Sequence, residues 1–126
     1  MNALIIDDSR AMRRILRQIV TGLGFDAVEA EHGQQGLERL EQCDDIEFVL
    51  VDWNMPVMNG LEFVKVVRSS PKYERLRLVM VTTETEPARM ARALMAGVDE
   101  FVMKPFTPDI LIDKLKLIGV AMQATV

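Results

Sequence analysis

The chain has 126 residues, 49% of them apolar and 27% charged, with a formal net charge of −4. This length and balance suit one self-sufficient globular domain and exclude a disordered or fibrous chain. The negative charge argues against a nucleic-acid partner, the apolar runs are too short to cross a membrane, and the single cysteine, Cys43, excludes an internal disulfide.

The first predicted strand is Ala3–Ile6, followed by Asp7 and Asp8. Ser9 can cap the next helix, where Met12, Ile15, Leu16, Ile19 and Leu23 recur at helical spacing and are expected to pack on the sheet. Gly22 and Gly24 end it. A second strand is read at Ala27–Ala30, then a helix opened by His32, for which capping or solvation outweighs metal ligation. Cys43 lies in a charged helical stretch without metal-ligand companions and is read as structural. The third strand, Phe48–Val51, leads into Asp52; the fourth, Leu78–Val81, into Thr82; the fifth, Phe101–Met103, into Lys104. Near-continuous apolar character in the third and fourth fits burial on both faces of a sheet. Thr107 and Pro108 supply an N-cap and a first helical position for the last helix, with Leu111, Leu115, Ile118 and Met122 on one face. Met12, Met80, Met90, Met95, Met103 and Met122 fall at core-like positions.

Five strands alternating with five helices predict an α/β fold with a doubly wound parallel sheet. With no linker, repeat or low-complexity segment, residues 1–126 read as a single domain with a short tail at 123–126. The start at Met1 and the ending after a complete last helix favour a natural whole, and the absence of a signal-peptide pattern favours a cytoplasmic one.

In an open parallel sheet, functional groups gather beyond the carboxyl ends of the strands. Asp7, Asp8, Asp52, Thr82 and Lys104 are all expected there. Three crowded carboxylates repel one another unless a cation compensates, and hard oxygen ligands favour Mg²⁺ or a similar divalent ion. A carboxylate can attack phosphorus to give an aspartyl phosphate, with metal and lysine neutralising the equatorial oxygens; Asp52 is placed for attack and Lys104 for clamping. Each residue alone has a plainer reading: Asp8 or Ser9 as a helix cap, Thr82 as a hydroxyl bonded to nearby backbone, Lys104 as a solvated charge. Their joint placement favours the chemistry.

The segments Ile5–Ile6–Asp7–Asp8–Ser9, Val51–Asp52–Trp53–Asn54–Met55–Pro56, Asn59–Gly60, Val81–Thr82–Thr83 and Lys104–Pro105–Phe106 occur in this order. On these motifs the chain resembles the bacterial two-component response-regulator receiver family from residue 2 to about residue 120, and within it the stand-alone chemotaxis regulators. The resemblance implies a flavodoxin-like five-stranded sheet in the order 2-1-3-4-5. It implies that Asp52 accepts a phosphoryl group from a histidine kinase or phosphotransfer protein. Mg²⁺ would be held by Asp8, Asp52 and the Asn54 backbone carbonyl, with Asp7 acting through a metal-bound water. Thr82 would move toward the acyl phosphate, Lys104 would pair with it, and the Lys104–Pro105 bond would be cis.

The same resemblance pairs Thr82 with an aromatic on the fifth strand, here Phe101, which lacks the tyrosine hydroxyl of the chemotaxis type; rotating switch and plain core aromatic are both open readings. Asn54 and Glu84 lie where the family tunes phosphoryl lifetime, and Thr83 stands where a smaller residue is common, which would narrow access. Trp53 is read as packing. A protein target would meet the face of the fourth helix, fifth strand and fifth helix, with Arg89, Arg92, Phe101 and Lys114 as candidate elements. The chain would then be a switch rather than an enzyme, beyond self-phosphorylation and slow self-dephosphorylation. The competing reading, an aspartate-nucleophile phosphohydrolase, wants a second acid where Asn54 stands. A dinucleotide-binding domain wants a Gly-rich turn where Asp7–Asp8–Ser9–Arg10–Ala11 stands.

Overall fold

The computed structural model describes residues 1–121. Its elements are β1 (Asn2–Ile6), α1 (Arg10–Gly22), β2 (Asp26–Ala30), α2 (Gly33–Gln42), β3 (Ile46–Val51), α3 (Gly60–Arg68), β4 (Arg77–Thr82), α4 (Pro87–Ala96), β5 (Glu100–Met103) and α5 (Pro108–Leu117). A short 3₁₀ turn at Pro71–Tyr73 precedes β4 and was not anticipated from the sequence. All pairings are parallel and the sheet order is β2-β1-β3-β4-β5, as the resemblance implied.

Because side chains alternate across a strand, the apolar strands build two cores. Leu4, Ile6, Val49, Val51, Leu78 and Met80 face Leu40 of α2, Phe63, Val64 and Val67 of α3, and Ala93 of α4. On the other side Ala3, Ile5, Phe48, Leu50, Val79 and Val81 face Leu16 and Val20 of α1 and Leu111 and Leu115 of α5. Phe25 meets Phe48 edge-on in the second core, ring centroids 5.0 Å apart.

The caps form as expected. Ser9 accepts from the Met12 N–H, His32 Nδ1 from the Gln35 N–H, and Thr107 from the Ile110 N–H. Asn59 and Glu62 close a reciprocal capping box on α3.

Two packing expectations fail. The buried stripe of α1 runs through Arg13, Leu16 and Val20, so Ile15 is 46% exposed and Met12, Ile19 and Leu23 only flank the core. Arg13 occupies the inward position because both walls beside it offer oxygens that its guanidinium can use. Met95 is 89% exposed, since α4 turns Ala93 toward the sheet and leaves the residue two positions on facing outward. Met122 and the expected tail at 123–126 lie outside the described residues.

Candidate functional site

Strand register brings the polar residues together. Ile6 pairs with Val51, so Asp7 and Asp52 leave adjacent strands at the same level, and the Asp52 N–H donates to the Ile6 carbonyl at 2.9 Å. On the other flank Thr82 pairs with Met103, and the Lys104 N–H donates to the Thr82 carbonyl at 2.9 Å. Carboxylate oxygens of Asp7, Asp8 and Asp52 lie within 4.8 Å of one another. Asp7 is 1% and Asp52 9% exposed, whereas Asp8 faces solvent, which leaves the cluster open on one side.

Each buried acid is held by specific donors. The Ser9 N–H donates to Asp7 Oδ1 at 2.8 Å and Lys104 Nζ to Asp7 Oδ2 at 2.9 Å. Arg13 donates to the Asp7 carbonyl at 2.7 Å while pairing with Glu29 at 3.3 Å. The Trp53 N–H donates to Asp52 Oδ1 at 2.8 Å, and Lys104 Nζ lies 3.4 Å from Asp52 Oδ2. Burial is the largest influence on Asp52 and raises its pKa above the ordinary carboxylate value; Lys104 opposes it, and Asp7 adds to it. A hard divalent cation fits this donor set: oxygen ligands only, excess negative charge, and an open side for water or phosphoryl oxygens.

The floor of the site depends on a glycine. The Gly60 N–H donates to the Trp53 carbonyl at 2.8 Å, and a Cβ at Gly60 would stand 2.2 Å from the Asp52 carbonyl oxygen. Only glycine lets α3 start this close to the acid-bearing turn. Within that turn, Met58 N–H closes back on the Pro56 carbonyl at 2.7 Å, with Val57 at φ 67° and 77% exposed. A β-branched residue in that region is strained.

Residues 3–116 match the family model described as the response regulator receiver domain. The chain belongs to that family. As a receiver domain it is 49% identical over 117 residues to the chemotaxis protein CheY homolog of Campylobacter jejuni, covering 92% of this chain and 90% of that protein. It is 44% identical over 119 residues to chemotaxis protein CheY1 of Helicobacter pylori, covering 94% and 96%. Among solved structures, chemotaxis protein CheY4 of Vibrio cholerae superposes with a TM-score of 0.87 at 31% identity, covering 93% of this chain and 97% of that one. Receiver domains of this kind are signalling proteins rather than enzymes in the ordinary sense.

In this receiver domain Asp7, Asp8, Asp52 and Lys104 converge, and Thr82 is fully buried at the end of β4. The Lys104–Pro105 bond is cis. Asn54 and Thr83 are exposed in the turns that leave β3 and β4. Phe101, 7% exposed, belongs to the apolar cluster that contains Met80 and Ala93. Glu84 is turned back on its own loop: its carboxylate accepts the Thr85 and Glu86 N–H groups at 3.0 Å each and pairs with Arg89 at 2.5 Å. Sequence reasoning missed Arg13, since a charged residue on a helix gives no burial signal. The only hint was its i, i+3, i+7 spacing with Leu16 and Val20.

Proposed function

We propose that the chain is a phosphorylation-operated switch of a chemotaxis-type two-component pathway in the cytoplasm, charged on Asp52 by the phosphohistidine of a kinase or phosphotransfer protein. One Asp52 carboxylate oxygen attacks phosphorus, the P–N bond breaks, and the imidazole leaves with the electron pair and takes a proton. Asp8, Asp52 and the Asn54 carbonyl would hold Mg²⁺, which when bound would supply charge neutralisation for the phosphoryl group. Asp7 would act on the metal through a water, and Lys104, already 2.9 Å from Asp7 and 3.4 Å from Asp52, turns to the phosphoryl group. Thr82 donates its hydroxyl to the acyl phosphate, and Phe101 follows the space it vacates. The changed surface of α4, β5 and α5, including Arg89, Arg92 and Lys114, is read by a protein target. Asn54, Thr83 and Glu84 set access of small donors and of hydrolytic water.

The observation that carries this reading is the convergence of three carboxylates within 4.8 Å, two of them bridged by one lysine. Incubation with acetyl phosphate and Mg²⁺, followed by intact mass, tests it. The expected result is a base-labile gain of one phosphoryl group that needs Mg²⁺ and is absent from Asp52→Ala. A gain retained by that variant would overturn the Asp52 assignment.

A further inference from the structure

Beside the acceptor runs a chain of contacts, from Asp52 to Thr82, in which the proposed chemistry gives the link through Trp53 and Arg89 no part. Asp52 Oδ1 accepts the Trp53 N–H at 2.8 Å, and the Trp53 ring, 2% exposed, lies 4.9 Å from the Arg89 guanidinium carbon. Arg89, in the first turn of α4, reaches back to Glu84 Oε1 at 2.5 Å. The Glu84 N–H donates to Thr82 Oγ1 at 3.1 Å, which returns the chain to the strand end beside the site. Arg89 is thus the side chain in this run of contacts that ties the loop between β4 and α4 to the residue next to the acceptor.

Resting on the receiver reading, we propose that Arg89 is a positioning residue: it latches Glu84 and the Trp53 ring in the unphosphorylated arrangement and so sets how strongly the site resists charging. Thr82 and Glu84 are joined by a hydrogen bond two residues apart, so drawing the Thr82 hydroxyl toward Asp52 pulls the Glu84 backbone with it. The Glu84 carboxylate cannot follow while three groups hold it, Thr85 N–H, Glu86 N–H and Arg89. Only the Arg89 contact joins two different elements, and its guanidinium is the group free to let go, since its side chain is 41% exposed against 12% for Glu84. A contact made only in the uncharged state biases the equilibrium against the charged one by its own free energy.

Beryllium fluoride with Mg²⁺ is the probe, titrated against the protein while Trp53 emission and thermal unfolding are followed. Arg89→Ala is expected to bind the probe about fivefold more tightly, the scale of one partly exposed ion pair plus one cation–π contact, and to show a smaller emission change, because the ring loses its cation beforehand. Glu84→Gln should give part of the same gain, and the double variant should give no more than Arg89→Ala alone. Lys65→Ala, which removes one positive charge from an exposed site on α3, should bind as the unmodified chain does. Equal affinity in Arg89→Ala and the unmodified chain would overturn the latch and leave the receiver reading intact. Absence of any response in the unmodified chain would overturn both.

Discussion

Asp52 is under opposing pressures, and burial wins: its pKa is raised despite Lys104 and the Trp53 N–H. A carboxylate whose folded pKa exceeds its unfolded value is penalised when ionised, so its contribution to stability improves as pH falls through the folded pKa toward the unfolded one. In metal-free buffer Asp52→Asn should therefore unfold at a higher temperature than the unmodified chain near neutral pH. That gap should narrow on acidification through the raised pKa, measured by thermal unfolding across pH. Val57 offers a second test at this scale. Its positive φ and 77% exposure mean that replacement loses strain without losing packing. Val57→Asn should stabilise the fold by about 1 kcal/mol in denaturant unfolding. Neither effect is visible in a string of residues: Asp52 is only an acid after an apolar strand, and Val57 is only an apolar residue after a proline.

The helices place the site through two contacts of unlike chemistry. α1 lends Arg13, whose guanidinium satisfies the Asp7 carbonyl and Glu29 in a setting with little solvent. Removing one partner from such a network strands the other, so Arg13→Met should cost about 2–3 kcal/mol by denaturant unfolding. α3 lends Gly60, where an added methyl would meet the Asp52 carbonyl rather than a yielding side chain. Gly60→Ala should cost about 3 kcal/mol and also weaken Mg²⁺ binding, read by Trp53 emission, because the acid-bearing turn must shift. Helical periodicity located α1 and its cap correctly but rotated its inward face. The apolar count favoured Ile15, whereas the oxygens beside Arg13 decided the position.

At the scale of the whole molecule, the charge gathered at the sheet's carboxyl end makes folding and ion binding one equilibrium. Mg²⁺ at a hundred times its Kd should add about 2.7 kcal/mol to unfolding, an increment abolished by chelator and reduced in Asp8→Asn, as thermal unfolding would show. Among the described residues no helix is long and apolar enough to cross a membrane. The sequence alone determined the alternation of strands and helices, the caps at Ser9 and Thr107, and the acids and lysine at strand ends, because each depends on periodicity or on neighbours in the chain. Tertiary structure alone decided which acids are buried, that Lys104 bridges Asp7 and Asp52 across 97 and 52 positions of sequence, and that Arg89 reaches both Glu84 and Trp53. Those facts depend on strand register and on the close approach permitted at Gly60, which bring together groups that no local pattern connects.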